Sequence, residues 1–270
     1  MSEELARPLP TEARLSLGNQ SAAIPTAEHL RFQLDHALAR DAVHTPLDLG
    51  MLLDGLRARG LTPVTLHSAA PDRKTYLRRP DLGRKLHPDS AAALTTWVTQ
   101  ELSSRPEFAA FEDGAERPGG EPTGTPRAAI ILADGLSALA LERHALPLLD
   151  AVLPLIPYPL SLIPVLTNAR VALADQIGEL LHADLTVLLI GERPGLSSPD
   201  SLGVYLTWKP KPGRTDAERN CISNIRGGGL SYVEAAKRIA HYIGEATRLQ
   251  VTGTALKDPA TSPSVPKLPA

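Results

Sequence analysis

A single cysteine, Cys221, stands among 270 residues. It cannot form a disulfide within the chain, which suits a reducing compartment. It also excludes the zinc sites that need several thiolates. The histidines supply no HExxH pair. Charge is nearly balanced: 28 Lys and Arg against 30 Asp and Glu leave a formal charge of -2, too little to draw the chain to nucleic acid or an anionic membrane. No apolar run approaches the ~20 residues of a membrane-crossing helix. The opening "MSEELARPLPTEARLSLGN" lacks the apolar stretch of a secretory signal. What is there is ordinary globular composition, 43% apolar and 21% charged, at a length that fits one or two domains with a sizeable core.

Residues 1–25 are spotted with proline and read as a flexible arm. Thr26 is placed to cap a helix in which Leu30, Leu34 and Leu38 form one face. A second helix is expected between Pro46 and Gly60, and a third over "DSAAALTTWVTQELSS". Between them, six Lys or Arg fall from Arg73 to Lys85, a solvated face or a docking surface. Residues 26–111 therefore read as a small helical domain. Residues 112–127 hold four glycines and three prolines, a linker or exposed loop.

After 127 the pattern changes. "AAIILAD", "PLSLIPVLTN", "DLTVLLIGE" and "GVYLTW" read as strands, separated by helical spacing in "SALALERHALPLLDAV" and "RVALADQIGELLHA". "SYVEAAKRIAHYIGEATRL" closes the series behind a Ser231–Glu234 capping box. Alternating strands and helices predict an α/β fold with a Rossmann-like parallel sheet over 128–257, and the tail 258–270 reads as disordered.

Parallel sheets bind ligands beyond the carboxyl ends of their strands. Those ends carry Asp134-Gly135, Thr167-Asn168 and Gly191-Glu192. Gly191 would let a ligand approach the backbone, and Glu192 could accept hydrogen bonds from ligand amides or hydroxyls. Equally, Glu192 could pair with Arg193 or cap a turn. Thr215 and Glu218 form a second capping box that starts a helix near Asp216, whose amides, with Arg214, could receive an anion. Cys221 is either a nucleophile or, more in keeping with its surroundings, a small buried packing residue. Asp35-His36 point different ways on a helix, and Ser197-Ser198 lie in no GxSxG elbow. No complete catalytic set emerges. The two classes left open are a free-standing α/β enzyme or binding protein for a small polar ligand, using Asp134 and Glu192, and a chain that binds or assembles.

Six stretches go further: "LRFQLDHALARDAV" (30–43), "YLRRPDLGRKL" (76–86), "ADGLSA" (133–138), "RVALADQIGELL" (170–181), "LIGERPGLSSPDSLGVYLT" (189–207) and "GRTDAERNCISNIRGGGLSYVEAA" (213–236). In these the chain closely resembles the small subunits of ethanolamine ammonia-lyase. The resemblance implies an adenosylcobalamin-dependent radical conversion of ethanolamine to acetaldehyde and ammonia, with the substrate site in a large catalytic subunit. The small subunit would cover the cobalamin at the junction of a heterooligomer and be inactive alone. The family's cobalamin contacts fall on the valine of "RV", the glutamate of "GERPG" and the cysteine of "RNCISN", here Val171, Glu192 and Cys221. It assigns no catalytic residue to this chain. No D-x-H-x-x-G pattern for a histidine on cobalt occurs. Some family members start with an amphipathic extension tied to bacterial microcompartments. The short, proline-broken start here makes plain cytoplasm the expectation over encapsulation.

Overall fold

The computed structural model describes residues 24–104, 127–156 and 162–256. Most of the expected arm over 1–25, the 112–127 stretch except Arg127, and the 258–270 tail lie outside the described residues. In chain order the elements are α1 (Thr26–His44), α2 (Leu49–Arg57), β1 (Thr62–His67), α3 (Arg73–Arg78), α4 (Pro88–Ser104), β2 (Ala128–Ala133), α5 (Ala138–Val152), β3 (Leu162–Thr167), α6 (Leu173–Leu180), β4 (Leu185–Gly191), β5 (Leu202–Trp208), β6 (Arg219–Ile225) and α7 (Tyr232–Leu249). The α/β class is borne out. The six strands form one sheet in the order β1-β3-β2-β4-β5-β6, parallel as far as β4 and antiparallel from β4 to β6.

The centre of the sheet follows from its apolar runs. All seven residues of β4 are buried, as a parallel strand covered on both faces requires. Ala128–Ala133 align with Leu185–Ile190 in register, so every other side chain of the two strands enters the same layer. On one face α2, α5 and α7 build a core around Leu56, Leu148, Val187, Val204 and Ile239. On the other, α4 and α6 close over Leu66, Leu94, Ile131, Leu188 and Ile177. The β2–β3 crossover thus runs over one face and the β3–β4 crossover over the other, which makes the sheet doubly wound.

Several local expectations need correction. Residues 26–104 are not purely helical, because β1 pairs with β3 from Thr62–Leu162 to His67–Thr167. It is an edge strand, where Pro63 is tolerated. Thr26 does not cap α1. Pro25 takes that position, and its carbonyl accepts the His29 N–H at 3.1 Å. The face of Leu30, Leu34 and Leu38 is exposed rather than buried. Asp48, not Pro46, opens α2 by accepting the Met51 N–H. The Thr215–Glu218 capping box forms, but it closes a single 3-10 turn over Asp216–Glu218, and "RNCISNI" continues as β6. No helix among the described residues is long and apolar enough to cross a membrane.

Candidate functional site

The three strand-end positions do meet at one rim, but most of that rim is used internally. Asp134 is buried, and its two oxygens accept the Asn168 N–H at 2.9 Å and the Ala169 N–H at 3.2 Å. Arg73 stands 3.3 Å from the same carboxylate, and donates to the carbonyls of Gly135 and Val43, both at 2.7 Å. Asp134 therefore fastens α3 and the β3–α6 turn to the end of β2 and has no free face for a ligand. Gly191 likewise serves the chain itself. A Cβ there would lie 2.0 Å from the Ser137 carbonyl oxygen, so its close approach is to the β2–α5 loop and not to a ligand.

Glu192 differs. Its backbone N–H donates to the Ser201 carbonyl at 2.9 Å. Oε2 accepts the Ser201 hydroxyl in a short bond and the Asn224 N–H at 3.3 Å. Oε1 has no hydrogen bond among the described residues, and it lies over Gly203, where a Cβ would come within 2.8 Å. The ion pair with Arg193 is not formed. The carboxylate is instead folded down onto β5, half-buried, with one oxygen committed and one open.

Cys221 sits on β6 directly opposite Tyr205 of β5. It is exposed, contrary to the expectation of a buried packing residue. Desolvation raises its thiol above the ordinary value, the hydrogen bond with Tyr205 opposes this, and the charge of Glu192 raises it further. A thiol held up in this way is a poor nucleophile. Burial first, then Cys221, then Glu192 push the Tyr205 phenol well above its usual range. Val171, half-buried in the turn before α6, packs with Tyr205 against the same core. The fold thus gathers Val171, Glu192 and Cys221 around Tyr205, on the sheet face that α6 leaves bare. Sequence reasoning did not single out Tyr205. Its signal was the alternation in "GVYLTW", where Val204 and Leu206 face the core and Tyr205 must face the other way.

Beside this strip runs an open groove of about 870 Å³. Val171 and Tyr205 contribute apolar surface to it, with Pro80, Ala172 and Pro212. Arg84 and Lys85, from the basic 73–85 segment, line it together with Arg170, Arg214 and Arg219. Arg219 is held in a two-point pair with Asp175 of α6, at 3.0 and 2.7 Å, both side chains almost wholly buried. That pair ties α6 to β6 and shapes the groove's floor. Among the described residues no group of His, Cys, Asp and Glu could hold a metal ion.

The sequence model of the family described as "Ethanolamine ammonia-lyase light chain (EutC)" matches residues 4–257. The chain belongs to this family. An ethanolamine ammonia-lyase small subunit of Azotobacter vinelandii is 52% identical over 253 residues, which cover 93% of this chain and 86% of that protein. Small subunits from Xanthomonas campestris pv. campestris and Pseudomonas aeruginosa are 47% and 49% identical, covering 94% and 93% of this chain and 86% and 85% of theirs. The strip around Tyr205 offers a phenol, a carboxylate and a thiol side by side, groups that can bind and orient a ligand.

Proposed function

We propose that this chain is the small subunit of an adenosylcobalamin-dependent ethanolamine ammonia-lyase, and that the strip around Tyr205 covers the cobalamin against a large catalytic subunit. One observation carries the reading. The three residues that the family resemblance assigns to cobalamin come from the turn before α6, the end of β4 and the middle of β6, yet they converge on one uncovered patch.

The residues suit such a cofactor. A corrin ring has apolar edges and amide side arms. Val171 and the Tyr205 ring offer apolar contact, and the open Oε1 of Glu192 accepts amide N–H groups. Gly203 leaves the space into which that carboxylate folds. Cys221 provides a small contact without needing to ionise. When bound, adenosylcobalamin supplies the radical chemistry that removes ammonia from ethanolamine. This chain's residues hold the ring's amides, fix its orientation and keep water from that side. The free-standing enzyme reading loses ground because Asp134, its second functional group, is fully engaged by Arg73 and two backbone amides.

The test is reconstitution. The purified chain with adenosylcobalamin and ethanolamine should release no acetaldehyde, and activity should appear when a large subunit is added. Turnover by the chain alone would overturn the proposal.

A further inference from the structure

His144 of α5 is only 6% exposed, and its ring bridges two loops. Nδ1 lies 2.8 Å from the hydroxyl of Tyr232, the first residue of α7. Nε2 is buried and faces Asp200 Oδ2 at 3.4 Å, long for a hydrogen bond but close for a charge. The carboxylate fixes the tautomer. A lone pair on Nε2 would confront Asp200, so the proton sits on Nε2, and Nδ1 accepts from the Tyr232 hydroxyl. Burial lowers the pKa of the imidazole, Asp200 opposes this, and Arg143 adds to the lowering, so the ring is neutral at neutral pH.

Both bridged stretches lead to Glu192. Asp200 directly precedes Ser201, whose carbonyl accepts the Glu192 N–H and whose hydroxyl donates to Oε2. Two residues before Tyr232, Leu230 donates its N–H to the Asn224 carbonyl at 2.7 Å. Asn224 in turn gives Oε2 its second donor. The two groups that hold the carboxylate on β5 therefore hang on stretches that one buried side chain ties together. Arg143 also pairs with Asp200, at 2.9 Å, but its side chain is 55% exposed and such a pair contributes little. Ser137 donates to the Pro199 carbonyl at 2.9 Å, so the loop stays attached to α5 when the bridge is cut.

We propose that His144 is a positioning residue for Glu192. Held between Asp200 and Tyr232, it sets where the Ser201 hydroxyl and the Asn224 N–H place the carboxylate, and so which way the open Oε1 faces. The purpose of that placement rests on the cofactor contact proposed above. His144 itself touches no ligand and acts only through Glu192.

The experiment has two arms. Tyr232→Phe keeps the ring that packs against the core and removes only the hydroxyl on Nδ1, and Asp200→Asn removes the other anchor at nearly constant shape. In the first arm the full-length chain is followed by NMR, with urea denaturation as the folding control. The parent should show His144 as the Nε2–H tautomer. Tyr232→Phe should move the Glu192 carboxyl and Ser201 amide resonances, and Asp200→Asn should move the Asn224 amide, each across the bridge from the substitution. An Nδ1–H tautomer in the parent, or no movement across the bridge, overturns the proposal. In the second arm, cobalamin is titrated into the complex reconstituted with a large subunit. Tyr232→Phe should weaken binding about three- to tenfold, the worth of one neutral hydrogen bond. The same change should matter less than about twofold when Glu192 is already Gln, because the two residues act as one unit. Equal weakening in both backgrounds assigns the bridge to general stability and overturns the proposal, as does no weakening where Glu192→Gln alone weakens binding. If Glu192→Gln leaves cobalamin binding unchanged, the cofactor reading fails, and the first arm decides the placement of the carboxylate by itself.

Discussion

Replacing Glu192 by Gln is the sharpest perturbation of the proposed cofactor surface. The amide keeps the size and shape of the side chain. Its oxygen can still accept from the Ser201 hydroxyl and the Asn224 N–H, so the fold should lose no more than about 1 kcal/mol. What it cannot keep is a second acceptor oxygen bearing charge, the one that lies open above Gly203. A hydrogen bond to a charged group is worth roughly 1.5–3 kcal/mol, and about 1.4 kcal/mol is a factor of ten, so cobalamin should bind roughly ten- to a hundredfold more weakly. Gly203→Ala tests the same geometry without touching the charge. Its Cβ would arrive 2.8 Å from Oε1 and 3.0 Å from Cγ, which forces the carboxylate off β5. The assay is equilibrium binding of cobalamin to the reconstituted complex, with urea denaturation of each variant as the folding control. If both variants fold and bind cobalamin like the parent, Glu192 is only a tie between β4 and the β5–β6 hairpin, and the site assignment is wrong.

Asp175→Ala strands the Arg219 guanidinium inside the protein and should cost about 3–5 kcal/mol in urea unfolding of the chain; a loss under about 1 kcal/mol would mean that water reaches the pair. Glu218 accepts the Thr215 N–H, pairs with Arg214 and accepts the Thr215 hydroxyl, and these interactions lower its carboxyl from 4.5 to about 2. Because the folded value is depressed, its contribution is complete above pH 4.5 and disappears as pH falls toward about 2. An NMR titration of its side-chain carboxyl should give that low midpoint, and a midpoint near 4.5 would show that the capping box is absent in solution. We further propose that residues 112–127, with their four glycines and three prolines, are cut by limited proteolysis before residues 185–191; early cleavage in β4 would contradict the burial of that strand.

The elements legible in the sequence were those whose burial has a simple period. β4 is buried at every position, and α6 presents Leu173 and Ile177 four residues apart to one core. The strands missed were those whose period is broken. In β6 the buried isoleucines, Ile222 and Ile225, are three residues apart, because the pairing with β5 slips between Leu202 and Val204. The preceding capping box then resembles a helix start. β1 has one fully buried side chain and a proline, so nothing in its six residues requires an extended conformation until β3 is beside it. At the site, the chemistry of Glu192 was readable as that of an acceptor at a strand end. Its partners Ser201 and Asn224 and the floor at Gly203 were not, because they arrive through strand pairing. Arg84 and Lys85 were visible only as a charge run, since their meeting with Arg170 and Arg219 depends on how the chain crosses the sheet.

The change of strand direction after β4 explains why a bare face exists at all. Each parallel neighbour must be reached by a crossover, and here the crossovers place α4 and α6 on one face and α5 on the other. From β4 to β6 the strands run antiparallel, and no crossover helix is needed. One face of that extension is covered by α7, whose Ile239 and Ile243 join the core. The other receives only the edge of α6, fixed there by the Arg219–Asp175 pair, and leaves Tyr205 half-covered and Cys221 open. Glu192 is then set at the one junction where the covered and uncovered parts of the sheet meet. A single-chain protein would gain by burying this strip under a further helix. Under the proposed function the strip must stay open to a large, amide-rimmed ring, and the antiparallel extension is the part of the fold that leaves it open.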